Sequence, residues 1–230
     1  MSVPSGNPSD RVGATSRAYR ERPAAGEAEG LLILHHGRGA DEHDLLGLGD
    51  TLDPERRLHV VTPRAPLTLG NWPGFHWYVV PRVGYPDHDT FHAAYRALSE
   101  FHDEVWERTG IAPDRTIFGG FSMGSVMSYS LGLGADRPAP AGILAFSGFI
   151  PVVDDWQPEL TRRPEVFIAH GRQDPVMEVG FARRAKALLE EGGLDVEYHE
   201  SDAAHHIDPA HVPAASDWVG RTLVGTGTPR

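Results

Sequence analysis

From residue 31 onward the chain alternates short apolar runs with longer stretches of helical periodicity, and few architectures accommodate that rhythm. The runs "LLILHH" (31–36), "RLHVVTP" (57–63), "RTIFGG" (115–120), "GILAFSG" (142–148), "EVFIAHG" (165–171) and "DVEYHES" (195–201) read as strands. Helical patterns lie between them at about 42–50, 88–109, 122–134, 177–192 and 209–224. The second is the clearest, with Phe91, Tyr95, Leu98, Phe101, Val105 and Trp106 three or four residues apart. Strands that are apolar on both faces need covering on both sides. Alternation of strand and helix therefore predicts an α/β fold, a mostly parallel central sheet with helices on both faces.

A chain of 230 residues is long enough for one well-buried core and too short for two ordinary domains with a linker. Residues 15–224 are expected to form a single domain, opened by an edge strand in "ATSRAYRE" before the turn Pro23–Gly30. Residues 1–14, rich in Ser, Gly and Pro, are expected to be a mobile tail, and 225–230 a short C-terminal one. The stretch before residue 30 has no apolar segment of the kind a secretory signal needs, so the cytoplasm is the expected location. No apolar run approaches the ~20 residues needed to span a bilayer, which argues against membrane insertion.

The net charge of −11, from 21 basic and 32 acidic residues, comes with basic side chains scattered along the chain. Nucleic acid and anionic lipid surfaces are drawn by clustered positive charge and are excluded as expected partners. The absence of cysteine excludes disulfides, thiolate metal sites and a cysteine nucleophile together. A homodimer is left open.

Within "IFGGFSMGSVMSYS" (117–130), Ser122 stands between Gly120 and Gly124 at the spacing G-x-S-x-G. Such a spacing also occurs in ordinary glycine-rich turns. Here it falls where a strand gives way to a helix, so Ser122 sits at the carboxyl end of a central strand, the edge at which open parallel sheets bind ligands. A serine hydroxyl needs a base to take its proton and a third group to orient that base. Asp174 follows strand 165–171 in "AHGRQDPV", and His205 with His206 follows strand 195–201 in "DAAHHIDP". Asp174 alone would also serve as a helix cap, and His205 alone as a solvated loop histidine. Serine, aspartate and histidine on successive strand ends follow the order of the α/β-hydrolases. An oxyanion hole would take one backbone N–H from Met123, the residue after the nucleophile. The other would come from Arg38, in the glycine-bearing loop "HHGRGADEHDL".

Taken together, "LILHHGRGADEHDLL", "GGFSMGS", "HGRQDPV" and "AHHI" resemble the phospholipase/carboxylesterase family of small α/β-hydrolases, which includes bacterial carboxylesterases and acyl-protein thioesterases. The resemblance runs from about residue 15 to 224. It implies hydrolysis of small carboxylic esters or thioesters by a serine–aspartate–histidine triad, without cofactor or metal. Its nucleophile falls on Ser122, its acid on Asp174 and its base on His205, the residue in the G-H-x-I slot. Two positions depart from the family: Ala204 replaces the usual glycine, and Met123 stands where thioesterase members often carry glutamine. An acyltransferase or perhydrolase using the same acyl-enzyme, and a non-catalytic ligand-binding protein on this fold, are the competing readings.

Only "FIPVVDDWQPELTRRP" separates strands 142–148 and 165–171, too little for a cap domain. The long connection 64–88 carries Trp72, Phe75, Trp77 and Tyr78, which are expected either to wall a substrate pocket or to plug the loop onto the core. Arg38, beside the oxyanion loop, would favour an acidic substrate or pair with Asp41 or Glu42. Histidines cluster at 35–36, 43, 205–206 and 211, and His88 and His92 share a helical i, i+4 spacing. No H-E-x-x-H is present, and a metal site is not expected.

Overall fold

A computed structural model describes residues 18–68 and 70–224 of the chain. The expected tails 1–14 and 225–230 lie outside the described residues, as does the start of the expected edge strand. Seven strands form one sheet: β1 (Tyr19–Arg22), β2 (Gly30–His35), β3 (Leu58–Pro63), β4 (Thr116–Phe121), β5 (Gly142–Phe146), β6 (Glu165–Gly171) and β7 (Val196–Ser201). Their spatial order is β1-β3-β2-β4-β5-β6-β7, with β1 antiparallel to β3 and every other pairing parallel. The helices are α1 (Leu46–Leu52), α2 (His88–Thr109), α3 (Met123–Gly132), α4 (Gly180–Glu191) and α5 (Val212–Val224).

Alternation along each strand divides the core into two layers, since successive side chains point to opposite faces. Leu31, Ile33, Phe118, Ile143 and Ile168 join residues of α2, α3 and α4 on one face. Leu32, Leu34, Ile117, Leu144 and Phe167 meet Leu52 of α1 and Trp218, Val219 and Leu223 of α5 on the other. Both faces of β2 are fully buried, which is why its sequence is an unbroken apolar run.

Strong local signals set α2. The Asp87 side chain accepts the Thr90 N–H at its start, and Gly110, at φ 68°, ends it in the left-handed region that glycine reaches without strain. Four boundaries differ from the pattern-based expectation by two residues or more in ways that a specific contact accounts for. The 42–50 helix begins only at Leu46, because the preceding turn draws the Glu42 carboxylate inward, where it accepts from Nε and Nη2 of Arg64 at 2.5 Å each. The helix expected from residue 177 begins at Gly180, after a turn organised by Asp174. Residues 209–211 form a 3₁₀ turn capped by Asp208, with α5 starting at Val212. Strand β5 stops at Phe146 because Ser147 takes φ 51° while donating its N–H to Ala169 O. Between β5 and β6 the chain carries no helix, and its one pairing is the bridge between Val153 and Trp156, so no cap domain covers the carboxyl edge of the sheet.

Candidate active site

Ser122 is held at φ 55° and ψ −120°, directly between β4 and α3. A side-chain-bearing residue there is strained, and the surroundings over-determine it. A Cβ on Gly120 would fall 2.5 Å from the carbonyl carbon of Gly124, and one on Gly124 would fall 1.9 Å from His35 O. Only glycine at both positions lets β4, α3 and the end of β2 come this close. The Ser122 N–H donates to Phe146 O at 2.9 Å, fixing the corner to β5. The hydroxyl is left projecting from the carboxyl edge of the sheet.

Two later strand ends deliver its neighbours. His205, after β7, places Nε2 at 2.8 Å from Ser122 Oγ and Nδ1 at 2.6 Å from Asp174 Oδ2. A carboxylate only accepts, so Nδ1 carries the proton and Nε2 faces the serine hydroxyl as an acceptor. Phe121 lies against the imidazole, with ring centroids 5.0 Å apart. His206 points to solvent, and its N–H donates to Ala204 O. Ile207 turns inward and packs against the α5-side core.

Asp174, whose carboxylate is fully buried, engages both oxygens: Oδ1 accepts the N–H groups of Val176 and Met177 at 2.8 Å each, and Oδ2 takes His205. The capping role and the histidine contact coexist in one side chain, although the capped element is a turn and not α4. His170, not singled out in the sequence, braces this turn. Its buried Nε2 lies 2.7 Å from Met177 O and 3.5 Å from Asp174 Oδ2, and burial holds its pKa below the ordinary histidine value. The neutral imidazole thus donates to the Met177 carbonyl. Its position four residues before Asp174 in "AHGRQDPV" was the available signal.

The loop after β2 runs beside Ser122. Its Gly39 N–H is spent on Phe75 O at 2.9 Å and its Ala40 N–H on Gly37 O, leaving Arg38 as the residue whose amide is not drawn into these bonds. His36 anchors the loop. Its Nε2 accepts the Ala65 N–H at 3.0 Å, so Nδ1 bears the proton and donates to Gly37 O at 2.7 Å. Burial lowers the His36 pKa and favours this neutral tautomer.

A cavity of about 360 Å³ opens beside Ser122 and His205. Trp72 and Tyr78 contribute to its wall, but Phe75 and Trp77 do not. Trp77 is fully buried, donating Nε1–H to His36 O at 2.8 Å, and Phe75 lies under Arg64 and bridges to Ala40. These two rings hold the β2 loop in place. Val80, Val83, Phe149 and Met177 complete the apolar wall, and nothing periodic in the sequence marked them. The histidine clusters serve other ends: His35 sits 2.9 Å from Ser128 Oγ and 3.1 Å from the His102 ring nitrogen, while His88 meets Asp89 and Asp155. Among the described residues no group of three or more potential ligands is placed to hold a metal, and no helix is long and apolar enough to cross a membrane.

A mostly parallel sheet with a serine at a strand-to-helix corner, met by residues from later strand ends, defines an α/β-hydrolase fold. Residues 22–223 match the Phospholipase/Carboxylesterase family, and the chain belongs to that family. It is 26% identical over 199 residues to the hydrolase MhqD of Bacillus subtilis, covering 86% of this chain and 96% of that protein. It is 27% identical over 198 residues to acyl-protein thioesterase 1 of Neurospora crassa, covering 76% and 79% respectively. Among solved structures, esterase PE8 superposes with a TM-score of 0.76 at 28% identity, over 90% of this chain and 99% of that one. The Bacillus cereus carboxylesterase shares the fold at a TM-score of 0.81 and 24% identity, over 92% and 97%.

Proposed function

We propose that the protein hydrolyses carboxylic esters through an acyl-enzyme on Ser122. The observation that carries this reading is the unbroken hydrogen-bonded chain from Asp174 through His205 to Ser122, at 2.6 and 2.8 Å. In the first half-reaction, Ser122 Oγ attacks the ester carbonyl while its proton passes to His205 Nε2. The Asp174 carboxylate, already bonded to Nδ1–H, stabilises the imidazolium that forms and keeps the ring in register. The carbonyl oxygen becomes negative and is received by the N–H groups of Met123 and Arg38, backbone donors that need no reorganisation. Collapse of the tetrahedral intermediate expels the alcohol, which takes the proton from Nε2. Water then repeats the sequence on the acyl-enzyme, with His205 again as base, releasing the acid and restoring Ser122.

No step calls for a metal or cofactor. The cavity lies near the lower end of ordinary small-molecule sites, which suits a small ester over a bulky one. Thioesters would follow the same steps, and relatives named acyl-protein thioesterases keep that substrate class in view. Met123, in the slot where thioesterase members often have glutamine, favours plain ester cleavage.

The test uses purified protein with p-nitrophenyl esters of graded acyl length and a fluorophosphonate probe. The wild type should turn over esters and become labelled, and Ser122→Ala should lose both while keeping its melting temperature within a few degrees. An alanine variant retaining more than about a hundredth of wild-type activity would require another nucleophile.

A further inference from the structure

The cavity beside Ser122 contains no carboxylate, yet two arginines, Arg38 and Arg82, take part in its lining. In a chain with a net charge of −11, several arginines elsewhere meet acids: Arg22 lies 2.8 Å from Asp53, Arg64 2.5 Å from Glu42, Arg108 2.7 Å from Glu21 and Arg183 2.7 Å from Glu200. Arg38 and Arg82 make no ion pair with a described residue. Each guanidinium instead lies over an aromatic ring, Arg38 at 5.0 Å from the Trp72 centroid and Arg82 at 3.6 Å from that of Tyr85.

Two of the three carboxylates on the Arg38 loop are committed elsewhere, and the third, Asp44, forms no ion pair with Arg38. Asp41 Oδ1 accepts the His43 N–H, and Glu42 grips Arg64 through both oxygens. A guanidinium lying over a ring keeps its N–H edge open to an oxyanion. For Arg82 the tight turn that returns the Tyr85 N–H to Arg82 O at 3.0 Å holds ring and cation together. The Arg38 charge is felt nearby, since together with burial it depresses the pKa of the His76 imidazole. Arg38 and Arg82 are themselves solvent-exposed, while Tyr78, Val80, Val83 and Phe149 form an apolar wall of the same cavity, so an ester can set its apolar part against that wall and an acidic group on the arginines.

We propose that the preferred ester carries an anionic oxyacid group, a carboxylate or a phosphate, away from the scissile bond, and that Arg38 and Arg82 receive it. This rests on the ester-hydrolase reading and names its substrate class.

The experiment compares p-nitrophenyl hydrogen adipate with its neutral counterpart p-nitrophenyl hexanoate, and the acetate ester of 3-hydroxypropyl phosphate with butyl acetate. Wild type, Arg38→Gln, Arg82→Gln and the double variant are each read as the acidic-to-neutral ratio of kcat/KM, so that any general loss of activity cancels. The wild type should favour one acidic member by about tenfold or more at low salt, as expected for charge-assisted hydrogen bonds. That ratio should fall as salt is raised and approach one in the double variant. Which acidic member is preferred identifies the oxyanion. A wild-type ratio near one for both pairs, or a preference that survives in the double variant, overturns the proposal. Titration of the same esters into Ser122→Ala separates it from turnover. Tighter binding of the acidic ester with no wild-type hydrolysis of any ester would sink the hydrolase reading alone, and equal binding would sink the substrate class whatever the turnover.

Discussion

Replacing Asp174 by asparagine exchanges one oxygen for an NH₂ group, and the contacts around it determine which one. If the amide oxygen stays at the Oδ1 position, it keeps the N–H groups of Val176 and Met177 and turns its NH₂ toward His205 Nδ1. The flipped amide would set NH₂ against those two donors, one buried and one partly buried, and lose both bonds. Each orphaned donor costs at least about 1 kcal/mol, so the first orientation should prevail by roughly thirtyfold or more. His205 Nδ1 then faces a donor and must accept, which moves the imidazole proton to Nε2, where it points at Ser122 Oγ. The base is lost with the structure intact. We expect kcat to fall by about 10⁴-fold, the range seen when a triad carboxylate becomes an amide, with little change in melting temperature. Kinetics on a p-nitrophenyl ester, the rate of fluorophosphonate labelling and the ¹⁵N shifts of the His205 ring would read activity and tautomer separately. Asp174→Ala should differ in kind. It strips the acceptor from both amides, a loss of about 2 kcal/mol or more that should lower the melting temperature by several degrees for a domain of this size. An asparagine variant within tenfold of wild type, or one that is inactive with Nε2 still unprotonated, would refute the reasoning.

His205→Ala should lower kcat by at least about a thousandfold, whereas His206→Ala, whose ring faces solvent, should cost less than roughly tenfold; equal losses would contradict the assignment of the base. Glu21, between His59 at 3.3 Å and Arg108 at 2.7 Å, has its pKa lowered from 4.5 to about 2, first by the bond from His59 and also by Arg108. A carboxylate depressed in the folded state stabilises fully above its unfolded pKa and loses that contribution as pH falls toward the folded one, here between about 4.5 and about 2. Wild type should therefore lose melting temperature more steeply than Glu21→Gln as pH drops from 5 to 3, and parallel curves would refute the linkage.

What was legible in the sequence is what neighbouring residues decide. The Asp87 and Gly110 caps and the apolar stripe of α2 lie within one segment, and its expected bounds of 88–109 coincide with the observed helix. The corner at Ser122 was legible for the same reason, since two glycines two residues away on either side are a local requirement. The order serine, aspartate, histidine could be read because each follows its own strand, and a parallel sheet gathers all its strand ends along one edge.

Contacts between distant segments were decided only by the folded chain. Nothing local distinguishes Trp72 and Tyr78, which wall the cavity, from Trp77, whose indole N–H is claimed by His36 O, or from Phe75, pinned beneath Arg64. The late start of α1 is set by the burial of Glu42 against Arg64, a residue 22 positions away. That same ion pair leaves Arg38 without Glu42 as a partner. An edge strand was expected in this segment, but that β1 pairs with β3, and antiparallel, is likewise a matter of pairing between segments. A short-range pattern records the conformation each residue prefers. The partner that satisfies a buried charge or an indole N–H is determined by which surfaces meet when the sheet is covered, and that is a property of the tertiary structure.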